Sequence, residues 1–173
     1  MSPNSHSKME EEQKKDELQW NAKLKVKLTG PTADQIWYFL YDDYFNLHKW
    51  LPNLSVCRPV EGKLVELGCV RYCVGADILS QDGKCNVVSW ANEKLVAVDI
   101  EQKSFTYEIV DGNIGFNSYV STMKVVDKDD DGCCWIEWSF VVDPIEGWKF
   151  EDLVSMFELG LQGMARRMED ASV

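Results

Sequence analysis

Cysteine and histidine are the residue types of this chain that could build a zinc site or a pair of a thiol nucleophile and its base. The six cysteines are Cys57, Cys69, Cys73, Cys85, Cys133 and Cys134, and the two histidines are His6 and His48. Only Cys69 and Cys73 have the spacing of a zinc-binding pair, and a tetrahedral site needs two further ligands. Because only His6 and His48 could complete it, we expect neither a metal site nor another cofactor. A Cys–His nucleophile pair that uses His48 has no supporting motif.

The cysteines are better explained as buried, reduced side chains. Several lie in strand-like segments such as Gly68–Gly75 and Gly132–Phe140, where a free cysteine behaves as a small hydrophobic residue. The first 17 residues contain no apolar stretch typical of a secretion signal. We therefore expect a cytoplasmic protein without disulfides, since the cytosol keeps thiols reduced.

Charge and hydropathy disfavour two classes of partner. The chain of 173 residues has 18 basic and 29 acidic side chains and a formal net charge of −11, which disfavours nucleic acids and anionic membranes. No apolar run approaches the roughly 18 residues of a membrane span. With 45% apolar residues, the chain can form one core of ordinary size. We expect a disordered acidic tail over 1–17, one domain over 18–173, and a monomer or weak dimer.

Alternating and turn-forming residues predict a chain that consists mainly of strands. Apolar residues occupy every second position from Leu18 to Leu28, and Thr32 with Gln35 forms a capping box that begins a short helix. A second short helix is predicted around Tyr44–Trp50. Further strands, separated by turn signals, are predicted over 54–60, 68–75, 84–91, 94–101, 104–110, 117–127 and 133–143.

The last segment of the chain predicts a long amphipathic helix. Its apolar residues recur every three or four positions and form one stripe over about five turns. They are Phe150, Leu153, Val154, Phe157, Leu161, Met164 and Met168. A long antiparallel meander curls, and this helix is the element that could cover its concave face. The predicted fold class is therefore α+β, with a cavity wherever the side chains of sheet and helix do not meet.

Candidate ligand-binding residues follow from that arrangement. Gly160 and Gly163 lie within the helix, where each costs about 0.8–1 kcal/mol relative to alanine, so close packing or room for a ligand should compensate. Trp138 lies on a strand with apolar neighbours and could belong to the core or to a cavity wall. The candidates for binding a small hydrophobic metabolite are Trp138, Phe157, Gly160, Leu161 and Met164.

Seven short motifs resemble the lachrymatory factor synthase family. They are Asn46-Leu-His-Lys-Trp50-Leu-Pro52, Leu54-Ser-Val-Cys57, Val60-Glu-Gly62, Gly68-Cys-Val-Arg-Tyr72, Glu93-Lys-Leu-Val-Ala97, Trp138-Ser-Phe140 and Ile145-Glu-Gly147. The resemblance extends from about Trp20 to the C-terminus. It implies the helix-grip fold of pollen-allergen-like proteins, START-type proteins and polyketide cyclases. In that fold a curved seven-stranded antiparallel sheet, with two short helices after the first strand, surrounds a long C-terminal helix and encloses a pocket.

The resemblance also implies which polar residues face the pocket. In that family they are an arginine, a glutamate and two tyrosines, and the matching motifs carry them to Arg71, Glu93, Tyr107 and Tyr119. The segment 75–89 is a few residues longer than in the family and shares little sequence with it. The identity of the substrate is therefore the property that the resemblance leaves open.

Strand periodicity predicts different surroundings for the two tyrosines and for the charged pair. Tyr107 and Tyr119 share their strand faces with apolar neighbours and are predicted to point inward. From periodicity alone, Arg71 and Glu93 are predicted to be solvated, since both residue types are seldom fully buried. Only the resemblance puts this pair in the pocket.

The resemblance implies a cofactor-free, isomerase-like or lyase-like activity that moves a proton within a small apolar plant metabolite, such as an alkenyl sulfenic acid. A buried arginine and glutamate would compensate each other's charge, the glutamate could transfer the proton, and the tyrosines could orient the substrate. The alternative is a non-enzymatic carrier of a hydrophobic small molecule. Hormone-receptor regulation is less expected, because the chain has neither the gate motif nor the latch motif of the abscisic-acid receptors.

Overall fold

The computed structural model describes residues 18–80, 82–128 and 131–172. The predicted acidic tail over 1–17 lies outside these residues. The strands described are β1 (Trp20–Thr29), β2 (Val56–Pro59), β3 (Val70–Leu79), β4 (Asn86–Asp99), β5 (Ser104–Gly112), β6 (Val120–Lys128) and β7 (Cys133–Val142). The α-helices are α1 (Ala33–Trp37) and α2 (Phe150–Ala171).

The strands form one antiparallel sheet in the order β1-β7-β6-β5-β4-β3-β2. The first strand pairs with the last one, and the others follow one another as the predicted meander. Helix α2 covers one face of the sheet with a stripe of buried side chains. These are Leu153, Phe157, Leu161, Met164, Ala165 and Met168. The α+β class and the helix-grip architecture are thereby confirmed.

The two predicted strands over 84–91 and 94–101 form one strand instead. Strand β4 runs without a turn because it is paired with β3 on one side and with β5 on the other. A register shift between Asn92 and Glu93 marks an irregularity in its pairing with β5, and a bulge of this kind bends a strand without ending it. Glu93 therefore lies in the middle of a long strand rather than at the start of a short one.

The short helices after β1 differ in detail from the prediction. Thr32 caps α1 as expected: its hydroxyl accepts a hydrogen bond from the N–H of Gln35 (3.1 Å), and the Gln35 side chain accepts one from the N–H of Thr32 (2.9 Å). The chain continues as a π-helical turn over Tyr38–Asp42 and then as a 3₁₀ helix over Tyr44–Lys49. This 3₁₀ helix carries the side chain of Tyr44 into the interior, where it is completely buried.

The glycines of α2 are sites of close packing against the loop that follows the 3₁₀ helix. A β-carbon at Gly163 would lie 2.5 Å from Cγ of Pro52, and one at Gly160 would lie 3.1 Å from Cδ1 of Leu51. The loop approaches the helix this closely because glycine has no side chain. Close packing therefore accounts for both residues. In the described part of the chain, no helix has the length and hydropathy needed to cross a bilayer.

Candidate functional site

A cavity of about 150 Å³ lies between α2 and the sheet. Its wall is built from the loop after the 3₁₀ helix, from β3, β4, β5 and β7, from the segment between β5 and β6, and from the N-terminal half of α2. Most of its side chains are apolar. Leu54, Trp148 and Met156 belong to this wall and are half-buried. They mark the side on which the cavity approaches the protein surface.

The charged part of the wall is Glu93, which forms an ion pair with Arg71 of the neighbouring strand. Arg71 in β3 and Glu93 in β4 are directly opposite each other in the antiparallel ladder, an arrangement that brings side chains on the same face into contact. Nε of Arg71 donates to Oε1 of Glu93 at 2.7 Å. The arginine side chain is completely buried, whereas the glutamate side chain keeps 12% of its exposure.

Tyr44 and Tyr107 complete the surroundings of the guanidinium. Nη1 of Arg71 donates to the backbone oxygen of Tyr44 at 3.0 Å, and the guanidinium carbon lies 4.0 Å from the Tyr44 ring centre and 4.9 Å from that of Tyr107. Nη2 has no hydrogen-bond partner among the described residues. The cation therefore depends on the two tyrosine rings for part of its stabilisation, since an aromatic face attracts a positive charge.

The charge of Arg71 persists despite its burial. Burial by itself lowers the pKa of a guanidinium, because it penalises the charged form. The Glu93 carboxylate favours the charged form, with smaller contributions from Tyr44, Cys73 and Tyr107, and the pKa of Arg71 stays well above its ordinary value. Arg71 is thus a fixed positive charge beside the carboxylate.

The structure corrects the prediction from strand periodicity that Arg71 and Glu93 are solvated. Both are withdrawn from water, because each neutralises the other. Their relations to the cavity differ, however. Glu93 lines the cavity, whereas Arg71 is not among the lining residues and lies against Glu93 within the core. A ligand in the cavity would therefore contact the carboxylate, and the guanidinium would act on it through that carboxylate.

Tyr107 and Tyr119 both line the cavity, and their hydroxyls are 3.4 Å apart. Each residue is 2% exposed, which confirms the inward orientation predicted from strand periodicity. Burial, with the nearby charge of Glu93, raises the pKa of Tyr107 to about 12. Burial also raises the pKa of Tyr119 well above its ordinary value. Both hydroxyls are therefore neutral at physiological pH and can donate hydrogen bonds to a ligand.

Trp138 belongs both to the core and to the cavity wall. Its indole Nε1 donates to Oγ of Ser121 at 2.7 Å, and Ser121 donates to the backbone oxygen of Ser139 at 2.9 Å. The indole packs against the Phe157 ring with centres 4.6 Å apart. The hydrogen bond fixes the orientation of the indole, so this part of the wall is preformed.

The five candidate ligand-binding residues separate into two groups. Trp138, Phe157 and Gly160 line the cavity. Leu161 and Met164 are buried but are not among the lining residues, because the cavity extends only along the first half of α2. The helical stripe that contains them predicts burial correctly, but it does not indicate how far along the helix the cavity reaches.

Several residues of the site were not indicated by the sequence. Ile109 could have been found, because it lies two positions from Tyr107 on the same strand face. The contact of Tyr44 with Arg71 depends on how the 3₁₀ helix docks on the sheet, and no local pattern reports that. Other lining residues outside the predictions are Trp90, Ile114, Phe116 and Trp148. The segment 113–117 in particular has no periodicity from which an inward direction could be read.

The sequence and the fold are both similar to those of known proteins. The family described as polyketide cyclase / dehydrase and lipid transport matches residues 22–171. Ginseng (Panax ginseng) major latex-like protein 151 has a TM-score of 0.70 at 21% identity, over 90% of this chain and 99% of that chain. The protein XoxI from Bacillus cereus has a TM-score of 0.65 at 20% identity, over 87% of this chain and 94% of that chain.

A third similar structure is that of Ara h 8.0201, with a TM-score of 0.64 at 18% identity, over 89% of this chain and 97% of that chain. At these identities the likenesses show a shared fold. They extend over nearly the whole length of each protein, so the sheet and the covering helix match as one unit. Because one fold can host unrelated functions, the chemistry must be argued from the residues of the cavity.

Proposed function

This chain belongs to the polyketide cyclase / dehydrase and lipid transport family, and from that premise we propose that it binds a small apolar molecule in its cavity and moves a proton within it. The single observation that supports this proposal is the position of Glu93. Its carboxylate lines a mostly apolar cavity and is held by Arg71 at 2.7 Å. A carboxylate fixed in this way is suited to accept a proton from one atom of a ligand and return it to another.

In this proposal Arg71 positions the Glu93 carboxylate and neutralises its charge. It holds Oε1 of Glu93, which leaves the second carboxylate oxygen as the atom with which a ligand would exchange its proton. Because the guanidinium remains charged, it stays the ion-pair partner of the carboxylate before the transfer and after it. Arg71 is a positioning residue here, since it does not line the cavity.

The tyrosine hydroxyls supply the second half of the proposed mechanism. Tyr107 and Tyr119 line the same cavity as Glu93 and remain protonated. A pair of neutral donors can hold a ligand oxygen on which negative charge develops, and such preorganised donors are worth more in a site that excludes water. The reaction class that uses these groups is an isomerisation or a lyase-type rearrangement without a cofactor.

The resemblance to the lachrymatory factor synthase family suggests the substrate class. An alkenyl sulfenic acid is small and largely apolar, and it carries an acidic O–H within reach of its own double bond. Moving that proton from oxygen to carbon gives a thial S-oxide. The reaction needs one group that shuttles a proton and donors that hold the oxygen, and the cavity offers both.

The test compares Glu93→Gln with Glu101→Gln. The sulfenic acid is generated in the assay from its alkenyl cysteine sulfoxide precursor by an added lyase, and the thial S-oxide is measured. We expect at least a roughly 100-fold loss of product formation in Glu93→Gln, the usual contribution of a general acid–base group. Glu101 is exposed in the turn after β4, and Glu101→Gln should retain full activity. Undiminished turnover in Glu93→Gln would refute proton transfer by this carboxylate.

A carrier is the second candidate, and one observation favours it. Among the described residues that line the cavity, Glu93 is the only one with a charged side chain, so apolar contacts would dominate the binding of any ligand. A carrier would retain the sulfenic acid or an unreactive apolar analogue without forming product. Saturable binding combined with equal, background-level product formation by the wild type and Glu93→Gln would favour this function over the enzyme.

A further inference from the structure

Two cysteines are held in contact across the β2–β3 ladder. Cys57 and Cys73 are directly opposite each other in the antiparallel register, and their sulfur atoms are 2.9 Å apart. The N–H of Cys57 donates to Nδ1 of His48 (3.2 Å) rather than to Cys73. In antiparallel sheets, opposed residues without ladder hydrogen bonds are the ones whose side chains approach most closely.

The contact already meets the main requirement for a disulfide. An S–S bond is about 2.05 Å long and needs α-carbons about 4.4–6.8 Å apart, a range that opposed residues in an antiparallel ladder occupy. The two sulfurs would have to approach each other by less than about 1 Å from their present 2.9 Å. Both cysteines are free thiols in this structure.

The surroundings of the pair make Cys57 the more acidic of the two thiols. The hydrogen bond with the Cys73 thiol lowers the pKa of Cys57, and the positive charge of Arg71 acts in the same direction, whereas burial and the negative charge of Glu93 oppose them. The same hydrogen bond and burial raise the pKa of Cys73. Cys57 is therefore the thiol that loses its proton more readily, and the proton that remains on the pair can then pass between the two sulfurs in contact.

Access to the pair is through the cavity. Cys73 lines the cavity wall beside Glu93, whose Oε1 lies 3.8 Å from the Cys73 sulfur. Cys57 is not among the lining residues, and both cysteines are shielded from the outer surface, with exposures of 6% for Cys57 and 4% for Cys73. A reagent small enough to enter the cavity would meet the sulfur of Cys73 first.

We propose that Cys57 and Cys73 form an oxidisable dithiol that reduces one equivalent of a small apolar hydroperoxide in the cavity. Once the pair has lost one proton to solvent, transfer of the other from Cys73 to Cys57 makes Cys73 the thiolate, which attacks the terminal oxygen and breaks the O–O bond. Cys73 becomes a sulfenic acid, and the alkoxide leaves as an alcohol with the proton from Cys57. The Cys57 thiolate then attacks the Cys73 sulfur, and hydroxide leaves as the disulfide forms.

This stoichiometry balances without a further oxidant. The two sulfurs each lose one electron, and the hydroperoxide gains both as it becomes an alcohol and a hydroxide ion. The proposal is independent of whether the cavity rearranges a sulfenic acid, since it uses neither the proton shuttle of Glu93 nor the tyrosine hydroxyls.

The experiment treats the full-length protein with tert-butyl hydroperoxide, then unfolds it in urea, blocks all free thiols with N-ethylmaleimide and measures the intact mass. Of the six cysteines, we expect four to be alkylated after oxidation. All six should be alkylated when the oxidised protein is reduced with dithiothreitol before the alkylation. Trypsin separates the relevant cysteines, because residues 50–63 contain Cys57 and residues 72–84 contain Cys73. The expected product is the disulfide-linked pair of these two peptides.

Two cysteines serve as matched controls. Cys69→Ser, a change just before β3, should leave the crosslink intact. The test variant Cys57→Ser should abolish the crosslink and leave Cys73 as a sulfenic acid, which dimedone traps on peptide 72–84. Cys85 is exposed and should require a higher hydroperoxide dose than the pair. If the wild type oxidises at Cys85 first, or if no 50–63/72–84 crosslink forms at any dose, the proposal is overturned, whether or not the Cys57 variant folds.

Discussion

Arg71 and Glu93 face each other across the β3–β4 ladder with 2.7 Å between Nε and Oε1, yet only the glutamate reaches the cavity. The arginine lies in the core against the rings of Tyr44 and Tyr107. An isolated charge in such surroundings is expensive, and each partner is tolerable because the other is present. The pair therefore links the stability of the core with the polarity of the cavity, and the two contributions can be measured separately.

The first prediction concerns this coupling. Arg71→Met leaves the Glu93 carboxylate without its partner and should lower the free energy of unfolding by about 3–5 kcal/mol, the usual cost of breaking a buried ion pair. Glu93→Gln should cost less, because an amide oxygen can still accept the hydrogen bond from Nε. The double variant should be more stable than the sum of the two losses implies, since neither charge is then left unpaired.

Urea denaturation of the four proteins in this cycle measures the coupling. Lys27→Met and Asp131→Asn, at an exposed pair that forms a 2.7 Å surface salt bridge, serve as a control cycle. These two substitutions should show little coupling. Strict additivity at Arg71 and Glu93 would contradict the reading of this pair as mutually neutralising.

The second prediction concerns the close approach of α2 to the preceding loop. Gly163→Ala should destabilise the protein by about 1–3 kcal/mol, the typical cost of overpacking, although alanine is the better helix former. The added β-carbon would lie 2.5 Å from the rigid Pro52 ring. Gly160→Ala is the matched control: its closest neighbour is the end of the Leu51 side chain at 3.1 Å, which can move, so its cost should be smaller. Thermal denaturation ranks the two variants, and equal stabilities would argue against a tight contact at Pro52.

The third prediction concerns alkaline pH. The pKa of Tyr107 is about 12 in the folded protein and 10.0 ordinarily, so the folded state holds its proton more tightly than the unfolded state. Its stabilising contribution is complete below pH 10 and is lost as the pH rises from 10 to 12, by about 3 kcal/mol in all. Tyr107→Phe should therefore flatten the decline of stability in this window. Tyr38, which is 58% exposed, gives the control: Tyr38→Phe should leave the pH profile of urea denaturation unchanged.

The fourth prediction separates cavity residues from core residues on the same helix. Phe157→Ala and Leu161→Ala each remove a buried side chain of α2 and should each cost about 2–5 kcal/mol of stability. Only Phe157 lines the cavity. Binding of the uncharged fluorescent probe N-phenyl-1-naphthylamine should weaken about tenfold or more in Phe157→Ala and remain near the wild-type value in Leu161→Ala. Equal effects on probe affinity would mean that the probe binds elsewhere.

Apart from the division of β4 into two strands, local patterns in the sequence were sufficient for the order of the strands and helices and for the direction of many side chains. Tyr107 and Tyr119 point inward as their strand faces predict, because alternation along a strand is a property of the chain itself. The capping box at Thr32 likewise involves residues only three positions apart. The stripe on α2 correctly predicted the burial of five of its seven residues, including Leu161 and Met164, whereas Phe150 and Val154 are half-buried. It could not indicate where the cavity ends.

Only the tertiary structure decided which residues meet between elements. The burial of Arg71 depends on the β3–β4 register that brings Glu93 opposite it and on the docking of Tyr44 from a different element. The contact of Cys57 with Cys73 likewise depends on the pairing of β2 with β3. Such contacts join residues more than a dozen positions apart, and a shift of one residue in either strand would turn each side chain to the other face. The chemistry of this cavity is therefore set by strand pairing, which no local pattern in the sequence specifies.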